Sequence, residues 1–350
     1  MLNETRIYTV ESVTAGHPDK VCDQISDAIL DECLRHDSRS RVAIETFGCN
    51  GLIVVGGELT TTAMINAGKI ARDVYREIGY DSDIEVIEKI NQQSPDIAQG
   101  VDTGGAGDQG IMYGYATNET EEYLPSGVAL ANKLTRGLEN LRKKKNVSFL
   151  RPDGKSQVTM ENNKVKTIVV STQHDKDVSQ NEIRNVLKKE LILPLVGELD
   201  DDQILINPTG KFILGGFEAD SGLTGRKIMV DTYGGLVNHG GGAFSGKDAT
   251  KVDRSAAYMA RFAAKNIVAN KLAEKCLVSV AYAIGRVEPL MIEAINENGA
   301  DISDIVKSNF DFRPQSIINR LSLTQPIFAQ TASYGHFGKE GLPWENIVKL

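Results

Sequence analysis

The chain has few of the features that mark secreted, metal-clustered or membrane proteins. Its 350 residues include four cysteines, and none of them forms a CxxC pair. No apolar run approaches the roughly 18 residues that a membrane helix needs, and the first twelve residues, MLNETRIYTVES, lack a signal-peptide core. The sequence therefore predicts a cytoplasmic protein with reduced, mostly structural thiols and no membrane partner.

Excess positive charge is also missing. The formal net charge is -8, whereas proteins that bind nucleic acid carry surplus Lys and Arg against the phosphate backbone. We expect no nucleic-acid partner. Cations gathered locally could still hold a small anionic substrate.

Hydrophobic patterning predicts one order of elements three times. A helix near 19–35 precedes strand-like RVAIETFG and GLIVVGGELT, which Asn50-Gly51 joins, and then come a helix near 63–77 and the strand DIEVIEKI. The order returns after residue 126 and, less clearly, after residue 252. With hairpins near 41, 156 and 276, we predict an α+β fold of three similar sheet-plus-helix domains, with limits at 1–100, 101–213 and 214–350.

Four Gly-rich, charged stretches look functional rather than structural: residues 16–20, 93–110, 150–155 and 207–253. Residues 241–247 match GxxxxGK of a phosphate-binding P-loop, but Asp248 stands where Ser or Thr must hold magnesium. We also interpret IMVDTY as a strand that ends too early for a Walker loop. The segment still offers backbone N–H groups of a glycine-rich loop next to a lysine, and this combination suits the binding of an anion.

Cations surround these stretches: Lys20, Lys155, Lys211, Arg226, Lys227, Lys247, Lys251 and Arg254. Several of them together could hold a polyphosphate and stabilise it as a leaving group. Asp19 and Asp253 are candidate magnesium ligands. Each also lies near a predicted helix start, where a carboxylate favours the helix dipole, and the residues alone do not separate these two roles.

GHPDK, GAGDQG and GGGAFSGKD, with LRPDGKSQVT, INPTGKF and DSGLTGRKIMVDTYGG in the same order, resemble the S-adenosylmethionine synthetase family. The resemblance implies three α+β domains about a pseudo-threefold axis, which exchange segments near their ends. It also implies dimers, or dimers of dimers, with active sites between subunits. The substrates would be ATP and L-methionine, with Mg²⁺, two per site, and one K⁺ per subunit.

By this resemblance the catalytic residues are His17, Lys155, Arg226 and Lys247. The ATP-binding set is His17, Asp153, Lys155, Lys211, Phe212, Asp220, Arg226, Lys227, Ala243 and Lys247. Methionine would meet Glu58, Gln93, Asp108, Asp220 and Lys251, and metals would meet Asp19, Glu45 and Asp253. Lys211 departs from the family's usual Arg, and the loop between Val101 and Gly107 is shorter than usual.

The implied reaction is attack of the methionine sulfur on the ATP 5′ carbon, followed by hydrolysis of the released tripolyphosphate. Three alternatives stay open at this stage. They are another ATP-dependent phosphotransferase, a non-catalytic relative, and a module that binds only S-adenosylmethionine. The first would form ADP, and the other two would have little use for the cation cluster.

Overall fold

The computed structural model describes residues 7–92, 104–144 and 147–350. Its strands are β1 (Ile7–Val13), β2 (Arg41–Cys49), β3 (Leu52–Thr60), β4 (Glu85–Asn91), β5 (Gly110–Thr117), β6 (Leu150–Glu161), β7 (Lys164–His174), β8 (Ile204–Ile206), β9 (Gly222–Leu223), β10 (Lys275–Tyr282) and β11 (Met291–Asn296). Its α-helices are α1 (Pro18–His36), α2 (Ala67–Ile78), α3 (Ser126–Lys143), α4 (Gln180–Leu187), α5 (Leu193–Val196), α6 (Ile228–Asp231), α7 (Val252–Ala269), α8 (Ser303–Asn309) and α9 (Pro314–Arg320).

Local signals explain several of these boundaries. Pro18 occupies the first turn of α1, where its missing N–H removes no helical hydrogen bond. The Asn66 side chain caps α2 by accepting from the Lys69 N–H, and Gly79 ends the helix in a left-handed conformation. Asn162 and Asn163 both have positive φ, as the tight turn of the β6–β7 hairpin requires.

The described strands form three sheets, with orders β1-β6-β7-β8, β4-β3-β2-β9 and β11-β10-β5. A long helix packs on each: α3 on β1 and β6, α1 on β2, and α7 on β5 and β10. This confirms the α+β class and the threefold recurrence of a sheet with its helix. The core lies between each helix and its sheet, where alternate strand residues are buried.

Each of the three sheets joins strands that are distant in sequence. Phe47 of β2 lies opposite Leu223 of β9. β1 pairs antiparallel with β6, so Ile7 lies opposite Glu161. β5 pairs antiparallel with β10, so Thr117 lies opposite Lys275. Hydrogen-bonded strand pairs therefore cross the predicted limits at residues 100 and 213. The limits 1–100, 101–213 and 214–350 stay a prediction.

Two local predictions were wrong, and one strand was not predicted. IMVDTY contains helix α6 rather than a strand, and the Asp231 N–H bonds to the Lys227 carbonyl. Residues 150–155 belong to strand β6 rather than to a loop. The sequence analysis made no prediction for β5, in which Gly114 faces the backbone of α7; an added Cβ there would lie 2.0 Å from the Ala260 carbonyl carbon.

Candidate active site

The predicted site residues gather first around the N-terminus of α1. The turn between β1 and α1 lies against β6, since the Thr14 N–H donates to the Gly154 carbonyl over 2.9 Å. A Cβ at Gly16 would lie 2.4 Å from the Pro152 carbonyl carbon, so only glycine fits this approach. The Tyr80 hydroxyl donates to the Gly16 carbonyl over 2.6 Å. Sequence reasoning missed Tyr80, because nothing local marks its distant partner.

His17 caps α1 and is buried. Its Nδ1 accepts from the Asp19 N–H over 3.2 Å, which leaves the ring proton on Nε2. Burial, with the charges of Lys227 and Lys155, lowers the pKa of His17 to about 3. The imidazole is therefore neutral near pH 7 and can donate a hydrogen bond through Nε2.

Asp19 anchors two of the predicted phosphate cations. Its Oδ2 lies 2.6 Å from Lys227 Nζ, and its Oδ1 lies 3.5 Å from Arg226 Nε and accepts from the Leu223 N–H over 3.0 Å. Burial alone would raise the pKa of Asp19, but the hydrogen bond and charge of Lys227 outweigh it and lower the pKa. The carboxylate stays ionised and holds both cations beside His17.

Strand β6 brings Asp153 and Lys155 to the same place. Asp153 is buried, and its Oδ2 accepts from the Gly216 N–H over 2.9 Å, whereas Oδ1 has no partner among the described residues. Burial raises the pKa of Asp153 to about 6, and the charge of nearby Asp220 acts in the same direction. Lys155 is exposed, and its charge acts on both His17 and Asp153.

The loop after β8 carries Lys211 and Phe212. The Phe212 N–H donates to His174 Nε2 over 3.1 Å, and the Phe212 carbonyl accepts from the His174 N–H over 2.9 Å. These two bonds fix the backbone at Phe212, whose ring is half-buried, while Lys211 is exposed. Asp220 is also exposed, and its Oδ1 accepts only from the adjacent Ser221 N–H among the described residues.

The second group of predicted residues lies at the start of α7. Lys247 Nζ is 2.6 Å from Asp253 Oδ2, and Lys251 forms an ion pair with buried Asp248. Burial would raise the pKa of Asp248, but Lys251 and the hydrogen bonds from Thr250 and Val42 lower it. Lys247 also forms a β-bridge with Ala43, whose partner across the β2–β3 pair is Glu58.

Two contacts bring the segments that carry the predicted site residues close together. A Cβ at Gly225, next to Arg226, would lie 2.5 Å from the Ala243 methyl carbon. A Cβ at Gly110 would lie 3.8 Å from Asp253 Oδ1, which places the segment after Asp108 near α7. Asp108 itself is exposed. Glu45 is exposed on β2, away from the core, and Gln93 lies outside the described residues.

Two of the predicted phosphate cations are not available to a substrate. Lys20 is fully buried, with Nζ 2.8 Å from Asp23 Oδ2 and 2.5 Å from Asp231 Oδ1. Arg254 is fully buried and forms a two-point ion pair with Asp27 at 2.7 and 2.8 Å. The sequence placed both among the cations near the predicted site, and their burial shows that proximity to a motif does not reveal on which side of a helix a charge lies.

The candidate metal ligands Asp19 and Asp253 suit only a metal site that has few protein ligands. Among the described residues, no three His, Cys, Asp or Glu side chains form a cluster that could hold an ion. Asp19 and Asp253 each face lysine ammonium groups instead. Mg²⁺ often takes one or two protein carboxylates and completes its shell with phosphate oxygens and water. The two carboxylates fit a magnesium site of that type, which forms together with a phosphate substrate.

Comparison with known proteins decides the family. Family models described as the N-terminal, central and C-terminal domains of S-adenosylmethionine synthetase match residues 5–95, 103–212 and 214–346. The S-adenosylmethionine synthase of Mycoplasma mycoides subsp. mycoides SC is 48% identical, with 99% of this chain and 96% of the relative covered. That of Mesoplasma florum is 49% identical over 99% and 98%. The chain belongs to the S-adenosylmethionine synthetase family.

This S-adenosylmethionine synthetase family member matches its relatives along almost its full length. The N-terminal, central and C-terminal domain models match in that order along the chain. None of the described helices combines the length and the apolar character that crossing a bilayer demands.

Proposed function

We propose that the protein makes S-adenosylmethionine from L-methionine and ATP, as its family membership implies. It is a methionine adenosyltransferase, which belongs to the transferases of S-adenosylmethionine biosynthesis. In the proposed reaction the methionine sulfur attacks the ATP 5′ carbon, and the released tripolyphosphate is hydrolysed to pyrophosphate and phosphate. The observation that carries the proposal is the convergence of Arg226, Lys227 and Lys155 on neutral His17 at the start of α1.

The cations would act on the leaving group. Arg226, Lys227, Lys155 and Lys247 would bind the triphosphate and stabilise the charge that appears as the bond to the 5′ carbon breaks. Lys227 and Lys247 are each held 2.6 Å from a carboxylate oxygen, so they are oriented before substrate arrives. Fixed cations need little reorganisation during the reaction, which is the source of their catalytic advantage.

No general base is needed in this proposal, because a thioether sulfur carries no proton. The low pKa of His17, about 3, agrees with this, because it makes the imidazole a weak base. Its Nε2–H would donate to the oxygen that leaves the 5′ carbon. The triphosphate would also raise the pKa of His17 by its negative charge and strengthen this hydrogen bond.

The remaining residues are assigned to the binding of ATP or of methionine. Phe212 would stack on adenine, with Lys211 beside it, and Asp153 would use its unpartnered Oδ1 to accept from ATP. Ala243 would line the ATP site, and Asp220 would lie between ATP and methionine. Methionine would be bound by residues from several segments: Glu58, Gln93, Asp108, Asp220 and Lys251.

Metal ions complete the proposed site. Asp19 and Asp253 would hold Mg²⁺, two ions per site, and Glu45 would belong to a site for one K⁺ per subunit. Bound magnesium would neutralise phosphate charge and orient the triphosphate. Asp19 would then share its carboxylate between the metal and Lys227, whose ammonium group lies 2.6 Å from Asp19 Oδ2.

Self-association into a dimer, or a dimer of dimers, is part of the proposal, with sites between subunits. Phe47, Val54 and Ile87 lie side by side across β2, β3 and β4. Phe47 and Ile87 are exposed. Such an apolar row on an open sheet face suits a second subunit. Light scattering after size-exclusion chromatography should give at least twice the 38.1 kDa chain mass, and a monomer at working concentration would contradict it.

The deciding experiment is incubation of the protein with methionine, ATP, Mg²⁺ and K⁺. We expect a sulfonium product together with pyrophosphate and phosphate. Omission of methionine should remove the sulfonium, and omission of Mg²⁺ should stop the reaction. Formation of ADP would instead indicate a phosphotransferase and overturn the proposed mechanism.

A further inference from the structure

Four aspartates follow one another at four-residue spacing along α1. Asp19, Asp23, Asp27 and Asp31, which we call the aspartate row, share one face of the helix because residues four apart are neighbours. All four are buried, at 1%, 0%, 0% and 6% exposure. Like charges at this spacing disfavour a helix, and buried carboxylates require partners. The four buried carboxylates therefore need hydrogen-bond donors or cations that offset the cost of burying their charge.

Backbone N–H groups from the second half of the chain provide part of that compensation. Oδ1 atoms of Asp19, Asp23 and Asp27 accept from Leu223, Gly225 and Gly246 at 3.0, 2.9 and 2.8 Å. Asp31 accepts from Phe328 and Ala329 at 2.9 and 2.8 Å. The row thus ties α1 to three separate segments of the chain.

Asp23 of α1 contacts the start of the segment that carries Arg226 and Lys227. Gly225, whose N–H it accepts, comes directly before Arg226. The other oxygen of Asp23 pairs with buried Lys20, which also pairs with Asp231. Because the Asp231 N–H bonds to the Lys227 carbonyl over 2.8 Å, this network holds the segment on both sides of the two cations.

Asp27 acts in the same way one turn later. Gly246, whose N–H it accepts, comes directly before Lys247. Arg254 forms its two-point ion pair with Asp27 and also donates to the Lys247 carbonyl over 3.1 Å. Gly246 has φ +79°, and a Cβ there would lie 1.9 Å from the Ile44 carbonyl oxygen. The backbone before Lys247 is therefore held from three directions.

We propose that Asp23 and Asp27 are positioning residues, each of which sets the place of one group of triphosphate cations. Asp23 positions Arg226 and Lys227, and Asp27 positions Lys247. The proposal rests on the proposed function, since it requires these cations to bind the triphosphate. A displacement of about 1 Å at a reacting group can reduce rate by about a hundredfold, so a buried anchor directly before each cation has a large effect.

Asp31 provides a matched control. It belongs to the same buried face and accepts two backbone N–H groups, but Phe328 and Ala329 carry no charge. Asp31→Asn should therefore disturb folding much as Asp23→Asn and Asp27→Asn do, without moving a phosphate cation. In each variant the Asn side-chain N–H group faces one of the groups that donated a hydrogen bond to the carboxylate. Two donors then meet, and that hydrogen bond is lost.

The probe is inorganic tripolyphosphate with Mg²⁺, measured by calorimetry on the full chain. We expect Asp23→Asn and Asp27→Asn to weaken its binding by about tenfold or more, and Asp31→Asn to change it by less than about twofold. Equal weakening in all three variants would overturn the proposal, because the effect would then follow general destabilisation. If the unsubstituted protein does not bind tripolyphosphate, the proposed function fails instead.

Amide hydrogen exchange separates the two anchors. Asp23→Asn should speed exchange at Gly225 and leave Gly246 protected, and Asp27→Asn should do the reverse. Loss of protection at both glycines in both variants would contradict separate positioning. Where an Asn variant does not fold, the Asp→Glu variant at that position keeps the charge and shifts the carboxylate. A position at which neither variant folds is a folding residue, and the proposal is then wrong for it.

Discussion

His17 caps α1 and, in the proposed function, would also donate a hydrogen bond. Its Nδ1 is occupied by the Asp19 N–H, and burial beside Lys227 and Lys155 keeps the ring neutral. A charged imidazole in this place would add to an already cationic cluster. A neutral one offers a single N–H whose direction the cap geometry sets, which suits a donor to a leaving oxygen.

His17→Asn should slow S-adenosylmethionine formation by about 10²- to 10³-fold, because one donor to the developing charge is lost. Hydrolysis of added tripolyphosphate should fall far less. Asn is itself a good helix cap, so α1 should remain intact. His36→Asn is the matched control, since His36 is exposed at the other end of α1. Equal losses in the two assays would remove the assigned role of His17.

Asp31 should give a pH-dependent stability difference. Burial raises its pKa from 3.8 to about 6, although the Ala329 and Phe328 N–H groups lower it. The folded protein then binds more protons than the unfolded chain between these pKa values, so this group contributes stability that is lost as pH rises. The advantage of the unsubstituted protein over Asp31→Asn in free energy of unfolding should shrink by on the order of 3 kcal/mol between about pH 4 and pH 7.

Denaturant unfolding of the unsubstituted protein and Asp31→Asn at several pH values measures this difference. Other buried groups titrate in both proteins and cancel in the comparison. A difference that stays constant, or grows toward pH 7, would contradict the raised pKa of Asp31.

Among the elements, helix α7 packs closely against strand β5, and this contact is important for the fold. Arg261 of α7 donates to the Tyr115 carbonyl of β5 over 2.8 Å and to the Tyr123 carbonyl beyond it over 2.8 Å. Gly114 permits this approach, since a side chain there would overlap the α7 backbone. The same helix has Lys251 as its N-cap and Asp253 in its first turn, so the packing also places predicted site residues.

Gly114→Ala should destabilise the protein by about 3 kcal/mol or more, because neither backbone can move without loss of packing. The melting temperature measures the effect. Gly56→Ala in β3 is the control, as a Cβ there would have the Lys89 carbonyl oxygen as its nearest atom, at an ordinary 3.6 Å. Similar losses in the two variants would show that strand glycine as such, rather than the α7 contact, is responsible.

In the whole molecule, the last residues join α7 to the rest of the structure. Glu345 accepts from Arg261 at 3.0 and 2.9 Å and from Lys265 at 2.8 Å, all in buried surroundings. Trp344 is fully buried and stacks on Tyr258 with 3.8 Å between ring centroids. The C-terminal segment is therefore part of the core that supports the start of α7.

Glu345→Ala should lower the free energy of unfolding by about 3–5 kcal/mol, since two buried cations lose their partner. Glu340→Ala, in an exposed position of the same segment, should change it by less than about 0.5 kcal/mol. Chemical denaturation compares the two. A small effect of Glu345→Ala would mean that water reaches Arg261 and Lys265 in the folded protein.

Sequence patterning predicted the long helices and most hairpin strands because their apolar periodicity is local. Compact motifs also predicted His17, Asp19, Arg226, Lys227 and Lys247 as site residues, and these assignments stay predictions. Sequence patterning did not predict β5, helix α6 or the anchoring role of Tyr80. Each of these depends on a partner more than 60 residues away in the chain, as Tyr80 does on Gly16.

The amino-acid order is sufficient for the family, the α+β class and the charged loops, since these follow from residue types and short spacings. Which charges are buried and which remain accessible was settled by the packing of distant segments. Lys20 lies in the same motif as Asp19, and Arg254 lies seven residues after Lys247, yet the two cations are buried against Asp23, Asp231 and Asp27. The direction of a side chain depends on what the rest of the fold places beside it, and no local spacing contains that information.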